Sequence, residues 1–167
     1  MNHDKKSPQQ NKLEYAKLIS VLAAVSAVAA LLTEYYGWGL MTYLESFMGV
    51  FFVVFAGFKI VNLKEFATSL RSYEKLNNLP LWAGYSYPFI QILFGSFYIL
   101  GHGNWLLDAA VLLWSAYNSY LVYLTIKNKG DVHCLCLGNV IKLPLSTTSL
   151  LEDAGMTAMA LVMLIIR

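Results

Sequence analysis

Charge is scarce in this sequence. Charged residues make up 13% of 167 positions, where a soluble domain of this length carries about a quarter. That shortage argues against an ordinary water-soluble domain. With 57% hydrophobic residues and a mean hydropathy of +0.53, it points to a membrane protein. Cysteine is scarcer still. The 2 cysteines exclude a disulfide framework, and as Cys134 and Cys136 they are too close in the chain to close a useful loop. Their value is reactivity or ligation. A net charge of +2 excludes a polyanion-binding face, because the basic residues sit in short clusters between apolar runs. Nucleic acid is therefore not an expected partner; the lipid bilayer is.

What the chain does have is long apolar segments. Residues 1–17 form a polar N-terminal tail bearing Lys5, Lys6, Lys12 and Lys17, expected to turn helical near Leu13. An Ala-rich run from Tyr15 to Thr33 is long enough to span a bilayer. Its small residues (Ser20 and Ala24; Ala23, Ala27 and Ala30) recur at helical spacing and predict close helix packing. A signal peptide is the rival reading of this run, disfavoured by the long polar stretch before it. Glu34 to Glu45 reads as an aromatic loop with Tyr35, Tyr36, Trp38 and Tyr43 at headgroup level.

Phe47 to Val61 is the second span, with Gly49 and Gly57 for close packing and Lys59 snorkelling to the interface. Asn62 to Asn78 has apolar residues at helical intervals and charges on the other side, the pattern of an amphipathic interfacial helix. Pro88 fits the first turn of a third span ending near Leu100. Trp105 to Ile126 is the fourth; its Ser115, Asn118 and Ser119 predict a side facing other helices, and Asp108 reads as solvated near one end. Leu150 to Ile166 is the fifth, started by Ser149 and Glu152 at capping-box spacing.

The expected fold is thus all-α: an integral membrane bundle of about five transmembrane helices plus one interfacial amphipathic helix. Basic residues lie in the tail, the second-to-third connection and the fourth-to-fifth connection. The positive-inside rule then places the N-terminus and the Cys134/Cys136 connection in the cytoplasm and the C-terminus outside.

Chemistry is expected where the polar residues gather, from His133 to Asp153. Two thiols at i and i+2 converge if the chain turns, and Gly138 with Asn139 favours a turn. Three readings fit. In dithiol–disulfide exchange, Cys134 or Cys136 attacks and the other resolves, with no cofactor. In soft-metal binding or transport, Cys134, Cys136 and His133 hold Cu, Hg or Zn. In the third, the protein is a non-catalytic scaffold and the cysteines are small hydrophobes. The next helix start favours thiolate, which Glu152 and Asp153 oppose; the plain reading of that acidic pair is helix capping. Gln91 reads as an interhelical hydrogen-bonding group, and Met156 and Met159 as core.

The segments FMGVFFVVFAGFKIVNLKEFA, YSYPFIQILFGSFYILG and CLCLGNVIKLPLSTTSLLEDAGMTAMA resemble the methylamine-utilisation MauE family within the DoxX-like group. The closest likeness lies in Cys134, Cys136 and Gly138, followed by Pro144 and the Glu152–Asp153 pair. The resemblance implies a four-helix membrane domain over residues 47–167, preceded by an extra first helix and loop over 18–46. It implies the bacterial inner membrane, and an accessory redox role in disulfide formation or maturation of a partner such as methylamine dehydrogenase. Similar proteins carry a heavy-metal-associated domain ahead of the extra helix; here no cysteine pair precedes it. Gln91 stands where family members often have glutamate.

Overall fold

The computed structural model describes residues 8–61, 63–70, 81–129 and 145–167, and among them every regular element is an α-helix. The first, α1 (Pro8–Tyr36), and the second, α2 (Leu40–Val61), are joined by three residues. Both are longer than expected, and most of the anticipated aromatic loop is helix. Pro8 opens α1 because a missing N–H costs nothing in a first turn. Gly37 closes it with φ of 105° while its N–H donates to the Thr33 carbonyl at 3.0 Å.

The face that α1 lays on α2 carries Val25, Ala29 and Thr33, all buried and four residues apart. Ser26 Oγ and Tyr43 OH pair across the contact at 2.7 Å. The alanine stripe expected to pack is instead turned outward, with Ser20, Ala23, Ala24 and Ala27 exposed. Branched and longer side chains fill the space against α2 better than alanine does: Leu18, Val21, Leu22 and Leu32 also reach the core.

α2 is the central element, packed by α1 and by the later helices α3 (Leu63–Leu70), α4 (Leu81–Ile99) and α6 (Leu145–Ile166). α4 (Leu81–Ile99) crosses it backbone to backbone: a Cβ on Gly95 would stand 2.8 Å from the Gly49 carbonyl, and one on Gly49 3.0 Å from the Gly95 carbonyl. Only glycine permits that approach. Gly57, expected to play the same part, faces open space.

The amphipathic segment forms α3 (Leu63–Leu70), with Phe66 and Ala67 buried and Lys64 and Thr68 exposed; the rest of its expected length falls in 71–80, outside the described residues. α4 begins seven residues before Pro88, which therefore lies inside the helix rather than in its first turn. The extra turns are held by packing: a Cβ on Gly84 would stand 3.0 Å from Ala67 Cα. That contact offsets the one hydrogen bond a proline removes.

α5 (Trp105–Lys129) and α6 (Leu145–Ile166) pack along one another. Residues 130–144 connect them. α6 starts four residues before Ser149, so the capping box is not its start; Ser149 and Glu152 lie within its first two turns. The core joins Met48, Phe52 and Phe55 of α2 to Tyr98 of α4, Val111 of α5, and Met156, Ala160 and Met163 of α6. Among the described residues, Ala16–Tyr36 and Leu40–Val61 are long and apolar enough to cross a membrane, with mean hydropathies of 2.0 and 1.9. α4 and α5 are interrupted by Pro88, Gln91, Ser115 and Asn118, which lowers theirs.

Candidate functional site

The turns at Gly37–Gly39 and Gly101–Asn104 define one end of the bundle, the turn end. The other is the thiol end, where α5 stops and α6 starts. Buried polar side chains cluster toward both.

On α2, Phe52, Phe55 and Lys59 fall on one inward stripe; on α4, Gly84, Pro88, Gln91, Gly95 and Tyr98 recur at intervals of four and three. The two stripes bring Lys59, 3% exposed, onto Gln91, 1% exposed. Lys59 Nζ donates to Gln91 Oε1 at 2.9 Å. It also sits 5.1 Å from the Tyr87 ring centroid and 5.8 Å from that of Phe66. A buried ammonium is costly to desolvate. A hydrogen bond to a charged donor returns about 1.5–3 kcal/mol, and a desolvated cation–π contact about 2 kcal/mol. Lys59 therefore does not snorkel. Its carbon chain points back along α2 into the bundle, where these partners wait.

On α6, Asp153 shares an inward stripe with Met156, Ala160 and Met163 and is 8% exposed. Lying in the third turn, it does not cap the helix. Thr157 donates to the Asp153 carbonyl at 2.7 Å and lies 3.1 Å from Ser115 Oγ on α5. Ser115 is buried and Asn118 and Ser119 are half-buried, so the polar side of α5 faces inward; Asn118 Nδ2 donates to the Trp114 carbonyl at 2.7 Å. Trp114 itself contacts the Tyr87 and Phe94 rings of α4 at 5.3 and 6.1 Å.

At the turn end, Asp108 is fully buried rather than solvated. It accepts from Tyr98 OH at 2.8 Å and from Arg167 Nε at 2.7 Å. Arg167 also pairs with Glu45 and donates to the Gly103 carbonyl at 2.8 Å. Burial pulls the Arg167 guanidinium down, but its bonds to Asp108 and Glu45 outweigh that and hold its pKa above the ordinary arginine value. One arginine thus ties α6 to α2, to α5 and to the α4–α5 turn. The same contact sets the depth of the other groups. Lys59 lies fourteen residues on from Glu45 and Asp153 fourteen back from Arg167, so both Cα atoms sit about 21 Å from the clamp, at one level.

Of the residues expected from sequence to act, Gln91 and Asp153 are thus buried toward the thiol end. His133, Cys134, Cys136, Gly138 and Pro144 lie outside the described residues. Among the described residues no group of His, Cys, Asp and Glu has metal-site geometry. Sequence reasoning missed that Lys59, Tyr98 and Asp108 are buried and that Glu45 and Arg167 join Asp108 in one cluster. A signal was present for Lys59: apolar residues flank it on both sides, in GFKIV, leaving no water for the ammonium.

No curated protein and no solved structure matches this chain. Residues 37–166, which include both cysteines and every helix except α1, match the Methylamine utilisation protein MauE family. The family and the two long apolar helices together suggest an accessory membrane protein of methylamine utilisation. The match covers most of the sequence, and the chain belongs to the MauE family.

Proposed function

We propose that this protein is a multi-pass inner-membrane thiol exchanger that serves a partner protein through Cys134 and Cys136. The observation that carries the reading is the family match, which spans both cysteines. One thiolate attacks a disulfide of the partner, forms a mixed disulfide and releases the first partner thiolate. The second cysteine then displaces the other partner sulfur and closes Cys134–Cys136, so two electrons pass to the partner; the reverse sequence passes them back.

Chain order supports thiolate character where the connection folds back onto α6. α6 begins nine residues after Cys136, and a helix N-terminus favours a negative charge. Glu152 and Asp153, which sequence spacing placed at that terminus, are seven and eight residues into the helix. That puts them about 10–12 Å along the axis from its first residue, so they oppose the dipole less than a capping pair would.

The surface supports several crossings. Ile19, Val28, Leu31, Leu93, Phe97, Leu113, Leu161 and Ile165 are exposed on α1, α4, α5 and α6, where water would leave large apolar patches. Eleven of the twelve basic residues belong to segments at the thiol end, all but Arg167, and this orientation puts Cys134 and Cys136 on the cytoplasmic side.

Single variants Cys134→Ser and Cys136→Ser in cells test the exchange. The attacking cysteine, deprived of its resolving partner, is expected to trap a mixed disulfide, visible as a higher-mass band that disappears on reduction. If neither variant traps a partner while the double serine variant still supports methylamine growth, the scaffold reading replaces exchange.

A further inference from the structure

The two ends of the bundle differ in electrical character. By sequence, the segments at the thiol end hold eleven basic residues against seven carboxylates, Glu65 beside Lys64 among them, a net charge of +4. The turn end carries Glu34, Glu45 and Asp108, and its arginine is engaged by two of them. The exposed lysines of α1 and α5 lie about 27 and 33 Å along their helices from the exposed aromatic residue at the turn end. On α5, Trp105 and Tyr123, exposed by 66% and 53%, are eighteen residues or about 27 Å apart. That is close to the roughly 30 Å hydrocarbon thickness. Lys127 lies one turn beyond, about 6 Å further, at the level of lipid phosphates. On α1, Lys17 stands the same eighteen residues from Tyr35, which is 83% exposed. α3 places Lys64 on its exposed side, opposite the buried Phe66 and Ala67, and Trp82 at the start of α4 is 70% exposed.

We propose that this lysine-bearing rim, with Lys64 of α3 and Lys127 of α5 as its principal contacts, binds the headgroups of anionic phospholipids. The proposal rests on the membrane reading above and adds a lipid class to it. The complementarity is specific in two respects. The Lys127 ammonium sits at phosphate depth while apolar and aromatic side chains of α5 occupy the hydrocarbon below it, so one molecule with a negative head and acyl tails satisfies both. At the turn end, exposed tryptophan and tyrosine meet exposed Glu34 instead, a surface suited to zwitterionic lipid. A lysine near a negative membrane surface contributes roughly a fivefold affinity increment, and the effect falls off within a Debye length.

The test uses the full chain purified in a neutral detergent. Phosphatidylglycerol or phosphatidylcholine is titrated into the micelles while thermal unfolding is followed. Phosphatidylglycerol is expected to raise the melting temperature at lower mole fraction than phosphatidylcholine does. K64Q and K127Q are each expected to weaken that preference about fivefold, and the double variant to remove most of it. Inorganic phosphate at the same concentration is expected to change nothing. Equal response to both lipids, full preference in the double variant, or a matching shift from phosphate alone would each overturn the proposal. Alkaline carbonate extraction of native membranes separates this failure from that of the membrane reading. A chain that stays in the pellet but ignores lipid charge refutes the rim alone; one that is released refutes both.

Discussion

Lys59 Nζ lies 2.9 Å from Gln91 Oε1, each residue at most 3% exposed, on two helices whose backbones touch at Gly49 and Gly95. A family pattern with glutamate in place of Gln91 would make this contact an ion pair. The glutamine gives Lys59 a neutral acceptor at this position. Gln91→Leu removes that acceptor from a buried ammonium and is expected to cost about 2–3 kcal/mol. Gln91→Glu is expected to cost less or to stabilise. Lys59→Met with Gln91→Leu is expected to recover part of the loss, since the buried ammonium leaves together with its acceptor. Thermal unfolding in detergent, arranged as a double-mutant cycle, reads the coupling.

Arg167 holds the turn end. Arg167→Gln strands the fully buried Asp108 and is expected to destabilise by about 3 kcal/mol, the low end for a broken buried pair because the arginine itself is partly solvated. Adding Asp108→Asn to that variant is expected to restore part of the loss, because a neutral amide needs no counter-charge. Equal unfolding temperatures for wild type and Arg167→Gln would show that the clamp contributes nothing.

The glycines separate cleanly. Gly95→Ala drives a methyl to 2.8 Å from the Gly49 carbonyl, with Phe52 Cβ and Val53 Cγ2 both at 3.0 Å. The helices must part, at an expected cost of about 1–3 kcal/mol. Gly57→Ala meets open space and is expected to stabilise α2 by about 0.5–1 kcal/mol, the helix preference of alanine over glycine. Parallel melts of the two variants check the ranking.

Metal content distinguishes the soft-metal reading of the thiols from exchange. Purified wild type and the Cys134→Ser/Cys136→Ser variant are expected to carry equal Cu and Zn when assayed by mass spectrometry. Stoichiometric metal lost only in the variant would make Cys134, Cys136 and His133 ligands instead.

Much of the fold was legible because its causes are local. Apolar runs separated by glycine turns and basic clusters placed the helices in order, and Met156 sits in the core as its spacing on α6 implies. What escaped depends on which neighbour each face meets. The alanine stripe of α1 and Gly57 of α2 have the spacing of packing surfaces, yet the chain spends its contacts on Val25, Ala29 and Gly49. Lys59 and Asp108 near helix ends read as solvated because sequence shows depth but not what stands alongside. Tyr98, Glu45 and Arg167 come from three separate helices or their ends, and no local pattern links them. Ser149 misled in the other direction: its spacing to Glu152 is that of a cap, but helix formation already begins at Leu145.

The central claim is that Cys134 and Cys136 cycle between dithiol and disulfide. Membranes are treated with mild oxidant or reductant, quenched in acid and reacted with a maleimide of high mass, then resolved by electrophoresis. Two added maleimides are expected in the reduced sample, none after oxidation, and full return on re-reduction. Two added maleimides under every condition would contradict the cycle.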